Sequence, residues 1–238
     1  MSTRTPSLDV ARAIALIGVV VMNYHAYLNP KTAYFQVAPS IWDRAFNPLS
    51  GILTSRFAAA FVLIAGIGVS LMTNRAREAG NVEAIRATRL VLLRRGFLLY
   101  VVGYGLQWIW PGTILFYYGA YFILSAIFIV WKSRSILFLS AVTALAATTI
   151  ASWEANRQRA GYSTAWLHPQ EIHNLKDFLL RIFVDYTHPV FPWLTFFCLG
   201  IVIGRNLETV KKNRRIIFLC CFAVIVICYS CTAILDGF

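Results

Sequence analysis

The chain has 238 residues, of which 58% are hydrophobic and only 13% charged, and its mean hydropathy is +0.63. An ordinary soluble domain carries about 25% charged residues, so a water-soluble core cannot absorb this much apolar sequence. The formal charge of +12 does not indicate a nucleic-acid partner, because the basic residues sit in short clusters between apolar blocks, the positive-inside pattern of membrane proteins.

A helix needs about 20 apolar residues to cross roughly 30 Å of hydrocarbon. Blocks of that kind predict about seven spans: Leu8 to Leu28, Phe57 to Thr73, Gly96 to Trp110, Thr113 to Trp131, Ser135 to Trp153, Val190 to Gly204 and Ile216 to Leu235. The third and sixth are short. The expected fold is therefore all-α, a polytopic transmembrane helix bundle forming a single domain over residues 1–238. Met1 to Pro6 is short and polar and the run from Val10 to Leu28 is too long for a signal-peptide core, so the first span is expected to remain in the protein. Cys198, Cys220, Cys221, Cys228 and Cys231 lie in late apolar blocks without ligand spacing to histidine. They read as packed or lipid-facing thiols, with no metal site expected.

Alternate connections carry the basic residues: Arg75, Arg77, Arg86, Arg89, Arg94 and Arg95, then Lys132 and Arg134, then Arg205, Lys211, Lys212, Arg214 and Arg215. Arg4 and Arg12 put the N-terminus on the same face, which is expected to be cytoplasmic, and seven crossings leave Phe238 outside. Two long loops, Asn29 to Arg56 and Glu154 to His188, and a tight Pro111-Gly112 turn then lie outside. Trp42, Trp108, Trp110, Trp153 and Trp166 fall in or beside them, as an interfacial aromatic belt requires. In the second loop Ile172, Leu175, Phe178, Leu179, Ile182 and Phe183 recur at helical spacing, with Lys176, Asp177 and Arg181 on other faces. That pattern predicts an amphipathic helix on the outer membrane surface.

The first span is polar for its position. At about 100° per residue Arg12 and Asn23 share one face, while Ala11, Ala15, Gly18, Met22 and His25 form another. Small residues mark close helix packing, so His25 is expected to point into the bundle, where an ionisable group is a functional candidate. Periodicity alone leaves open the plainer reading of a histidine wetted by headgroups. Asp9 and Arg12 have the spacing of an i,i+3 ion pair. His188 and Asp185, at the entrance to the sixth span, are candidates for orienting His25 or an acceptor, or are simply loop polar residues. His168 and His173 carry no assigned role. Gly200 and Gly204 read as a packing notch.

The stretch from Ser7 through Leu8, Asp9, Arg12 and Ala13 to Met22-Asn23-Tyr24-His25 resembles the L-D-x-x-R-G-x-A…N/H opening of transmembrane acyltransferases. Phe57 to Ser70 resembles their second span, and His188 to Leu194 with Gly200 and Gly204 resembles their P-x-x-P-W-L…G-x-x-x-G segment. Taken together these blocks are similar to the heparan-alpha-glucosaminide N-acetyltransferase catalytic-domain family and its YeiB-type neighbours. Ala13 stands where that family usually has glycine, and many relatives have more spans.

The resemblance implies an acyl-CoA-dependent acyltransferase. It would move an acyl group, expected to be acetyl, from cytoplasmic acyl-CoA to a sugar or cell-envelope acceptor at the outer face. The implied catalytic set is His25 with Asn23, Asp9 and Arg12, with His25 as base or acyl carrier. Arg94 and Arg95, at the membrane edge, would bind the donor phosphates, although topology alone also explains basic residues there. His188 and Asp185 would meet the acceptor. The expected setting is a bacterial-type plasma membrane, with lipid contacts and a homo-oligomer or partner membrane subunit. A small-molecule or lipid transporter and a non-catalytic scaffold are the competing readings; the lack of an internal repeat weighs against the first and His25 against the second.

Overall fold

The structure is a computed structural model that describes residues 6–28, 45, 53, 55–109, 114–169, 171–185 and 189–236, without the side chains of 25–28, 107, 228–229 and 231–236. The described residues are helical and contain no strand. The expected loop Asn29 to Arg56, the Pro111-Gly112 turn, Trp42, Trp110 and His188 lie largely or wholly outside them.

Helix α1 is Pro6–Leu28, with Pro6 at its start and Asp9 in its first turn, both suited to a helix N-terminus. Helix α2, Arg56–Ala79, ends at Gly80, whose φ of 63° is the left-handed conformation glycine adopts without a Cβ penalty. Asn81 then caps α3, Val82–Gln107, by accepting from the backbone N–H of Glu83 and Ala84. This glycine-asparagine break corrects one expectation. Arg86, Arg89, Arg94 and Arg95 do not occupy a loop before a short span; they lie on α3 itself, and the apolar stretch from Gly96 is the second half of that helix.

Helix α4, Leu115–Phe128, is followed by α5, Ser133–Arg159, which continues past the expected boundary at Trp153. A 3-10 turn at Ala165–Leu167 leads to α6, Leu175–Phe183, the expected amphipathic segment, which Asn174 caps and which leaves Ile172 outside. Helix α7 is Val190–Arg205, α8 is Leu207–Lys212 and α9 is Arg214–Asp236. Among the described residues three helices are long and apolar enough to cross a membrane, Pro6–Tyr24 within α1, α2 and α5, and α4 and α7 are shorter apolar helices.

The most extensive packing joins α2 to α7, α3 to α4, and α5 to α7, with α1 lying on α2. Val62, Leu92, Tyr121, Ile136, Phe197 and Cys198 form the centre of the core. Large apolar side chains of α1 and α9, among them Ile17, Val20, Phe218 and Phe222, are exposed, as residues facing lipid would be. The close approaches are made by glycine. A methyl on Gly96 or Gly119 would strike the other helix's backbone between α3 and α4, and one on Gly204 would strike Ser70. Hydroxyls join α5 to α7, with Thr143 Oγ1 2.8 Å from Thr195 Oγ1 and Ser140 donating to the Thr195 carbonyl at 3.3 Å.

Candidate functional site

The small-residue face expected on α1 is the face that packs. Ala15, Gly18 and Met22 are buried, whereas Ile14, Ile17, Val20 and Val21 are exposed, and the Phe57 ring of α2 lies against Gly18. Asn23, next on the helix, is half-buried. His25 belongs to α1 by its backbone, and its side chain lies outside the described residues, as does all of His188.

Asp9 and Arg12 pair at 3.6 Å as i,i+3 neighbours, with both side chains about half exposed. An ion pair so open to its surroundings contributes little by itself. The guanidinium of Arg12 also approaches Gly68 on α2, so Arg12 bridges the first two helices. Nearby, Tyr118 of α4 packs its ring against Phe61 of α2 at 5.1 Å and lies within the electrostatic reach of Arg12. The Tyr118 and Tyr121 hydroxyls are buried without a hydrogen-bond partner among the described residues. The Tyr118 hydroxyl lies on the α2 side of α4, whereas the Tyr121 ring stacks on Phe197 of α7 at 5.4 Å.

At the arginine-rich end the basic residues divide into two groups. Arg205 donates to the carbonyls of Trp131, Phe128 and Ile129 at 2.6, 3.0 and 3.4 Å, and Arg89 donates to the Ala126 carbonyl at 3.0 Å. These two arginines supply charged donors to carbonyls at and just beyond the C-terminal end of α4, where positive charge also favours the helix dipole. Arg94 and Arg95 are exposed, and Arg95 lies 3.4 Å from the sulfur of Met72. Their exposure leaves the forked guanidinium groups accessible to a phosphate.

At the other end the structure forms a cluster that the sequence did not reveal. His168 Nε2 is 2.6 Å from Glu154 Oε1, and His168 Nδ1 is 2.8 Å from Asp185 Oδ1. The hydrogen bond to Asp185, then that to Glu154, raises the imidazole pKa above its usual 6.5, against a smaller opposing effect of burial. Asp185 thus contacts His168, a residue given no role from sequence. The signal that could have pointed to His168 is weak, since it is a lone histidine among loop carboxylates with no recurring spacing. Among the described residues no group of three or more His, Cys, Asp or Glu side chains is arranged to hold a metal. Cys198 is buried, and Cys220 and Cys221 are exposed thiols on α9.

The three sequence blocks similar to transmembrane acyltransferases, far apart in the chain, thus lie on α1, α2 and α7, which pack in that order. A family model described as heparan-alpha-glucosaminide N-acetyltransferase, catalytic, matches residues 4–228. The chain belongs to this N-acetyltransferase catalytic family. Its apolar helices and its family make it a membrane protein. Among curated relatives, it is 33% identical over 123 residues to the uncharacterized protein YeiB of Escherichia coli (strain K12), a match covering 49% of this chain and 29% of that protein. It is 28% identical over 120 residues to an uncharacterized 39.9 kDa protein in the amylase 3' region of Bacillus acidopullulyticus, covering 50% of this chain and 32% of the relative. Each match spans about a third of the relative's length. No solved structure matches the chain.

Proposed function

We propose that this member of the N-acetyltransferase catalytic family transfers an acyl group, acetyl in the first instance, from cytoplasmic acyl-CoA to a sugar or cell-envelope acceptor at the outer face of a bacterial-type plasma membrane. The observation that carries this reading is the family match over residues 4–228, which includes the α1 segment bearing Asp9, Arg12, Asn23 and His25. In this proposal the whole chain is a single domain of seven spans with its N-terminus inside and its C-terminus outside. Lipid covers the exposed faces of α1 and α9, and a second copy or a partner membrane subunit completes the assembly.

His25 acts at the acceptor. A neutral imidazole takes the proton of the attacking hydroxyl or amine while the acceptor's oxygen or nitrogen bonds to the thioester carbonyl carbon. The carbon–sulfur bond then breaks and the CoA thiolate leaves, to be protonated. In the acyl-carrier variant the ring nitrogen itself attacks first, and the acyl-imidazole passes its acyl group to the acceptor in a second step. Asn23, Asp9 and Arg12 position this end of α1, Arg94 and Arg95 bind donor phosphates, and His188 with Asp185 lines the acceptor side.

Purified protein in lipid, incubated with acetyl-CoA labelled in the acetyl group, tests the reading. Release of CoA dependent on added acceptor supports the base route, and a labelled protein adduct supports the carrier route. Absence of both across a panel of sugar and envelope-lipid acceptors would remove acyl transfer and leave a transporter or scaffold.

A further inference from the structure

Both ring nitrogens of His168 face carboxylate oxygens, at 2.6 Å for Glu154 and 2.8 Å for Asp185. A neutral imidazole carries one N–H, so it can donate to only one of them, and the second contact would then set a nitrogen lone pair against a carboxylate oxygen. The same Oε1 of Glu154 also accepts from Gln158 at 3.1 Å and from Thr164 at 3.0 Å. An oxygen surrounded by donors is that of an ionised carboxylate, so the two short contacts call for an imidazolium.

The three groups come from separate parts of the chain. Glu154 lies on the last turns of α5, His168 directly follows the 3-10 turn, and Asp185 comes just after α6. The His168–Asp185 contact therefore closes residues 169–184 into a loop, and Glu154 ties the base of that loop to α5. Helix α6 occupies the loop and has no buried residue; Leu175, Phe178, Leu179 and Phe183 are exposed. Phe183 meets the Phe191 ring of α7 at 5.7 Å, but with no residue of α6 buried the polar ties at its base carry a large share of what holds this segment on the bundle.

The other charged groups on these elements are engaged elsewhere or act within the loop. Arg157 of α5 lies over the Tyr162 ring at 4.4 Å and the Trp153 ring at 5.5 Å, and Lys176 of α6 lies over Trp166 at 4.7 Å. Asp177 accepts from the His173 backbone N–H, and the His173 ring is 3.5 Å from Glu171. Arg159 of α5 and Arg181 of α6 are the other cations near this end, and Arg134 stands in the first turn of α5, at its opposite end.

We propose that Glu154, His168 and Asp185 form a proton-dependent clasp, which holds the α6 segment closed on α5 while His168 is charged and releases it when the ring loses its proton. Because the folded state raises the pKa of His168, the stabilisation is fully present below about pH 6.5 and is lost as pH rises through the higher folded value. The clasp shares Asp185 with the proposed acceptor side but is read from a distance and not from acyl transfer, so either reading can fail without the other.

The test uses the full chain in lipid nanodiscs with its native cysteines replaced and nitroxides attached through Ala160→Cys and Leu175→Cys. Pulsed spin-resonance distances are followed from about pH 5.5 to 9.5, a range that spans histidine titration. The expected result is a narrow distribution at low pH that broadens to longer distances in a one-proton transition centred above pH 6.5. Asp185→Asn should move that midpoint to lower pH, and His168→Gln should give the broad distribution throughout. A distribution independent of pH in the otherwise native chain would overturn the proposal even if the substituted chains fail to fold. So would a narrow distribution in His168→Gln, or an unmoved midpoint in Asp185→Asn.

Discussion

Gly66 of α2 and Gly200 of α7 face each other across the helix crossing, with backbones so close that a methyl on Gly66 would strike the Phe197 carbonyl oxygen and one on Gly200 that of Leu63. Lipid is as apolar as a leucine side chain, so helices in a membrane gain little from hydrophobic burial and associate through close van der Waals contact. The two glycines permit that contact where α2 and α7 meet. Gly66→Val or Gly200→Val should destabilise the protein by about 1–3 kcal/mol or more, because backbone rather than a flexible side chain must move. Thermal unfolding in detergent measures the loss, and Gly105→Ala is the control because nothing lies within 4 Å of an added Cβ there. Full stability of both valine variants would mean that the crossing is not this close.

Arg205 should prove a structural residue of α4 as well as a topology signal. Arg205→Leu leaves the Trp131, Phe128 and Ile129 carbonyls without their charged donor, an expected loss of about 1–3 kcal/mol in chemical denaturation. Arg205→Lys keeps the charge but not the fork and should fall between the two. A lysine variant as stable as the native protein would leave Arg205 with an electrostatic role only.

Membrane orientation is open to direct labelling. Single cysteines introduced near Arg86 and Arg214 should react only with reagent supplied from the cytoplasm, and those near Ser40 and Ala165 only with reagent supplied outside. The opposite accessibility for either pair would reverse the inside assignment of the arginine-rich ends of α2 and α3.

Donor binding should depend on Arg94 and Arg95. Replacing both with glutamine should weaken acyl-CoA binding about 10- to 100-fold, the consequence of losing charge-assisted hydrogen bonds worth roughly 1.5–3 kcal/mol. Equilibrium binding by the correctly inserted protein is the measurement. Unchanged affinity would assign both residues to topology alone.

His25→Ala should lower acyl transfer by about 10²- to 10⁴-fold while leaving expression and acyl-CoA binding near native, as expected for removal of a positioned proton acceptor. His25→Gln retains polarity without the same basicity and should lose activity to a similar extent. A well-folded glutamine variant with the native rate would move attention to His188.

The membrane class, the helical content and the apolar helices α1, α2 and α5 were legible in the sequence because apolar block length and composition are local properties of the chain. The stripe of Ala15, Gly18 and Met22 was legible for the same reason, since helical periodicity places these residues on one face wherever the helix docks. Local reading misjudged the arginine-rich stretch before Gly96. Its charge suggested a connection, whereas the Gly80 cap and the Asn81 cap confine the break to two residues and let α3 start at Val82.

Tertiary structure alone decided the long-range polar contacts. Arg205 meets the Trp131 carbonyl across 74 positions, and His168 meets Glu154 across 14 with a loop between them. No periodicity links such residues, because their partners are selected by where α4, α5 and α7 come to lie. A single arginine or histidine looks the same in sequence whether it faces solvent, lipid or a carbonyl. By itself the sequence determined that the chain must fold as membrane helices with one small-residue face on α1; the packing of α2 against α7, and of α5 beside them, decided which charges became caps and which became a clasp.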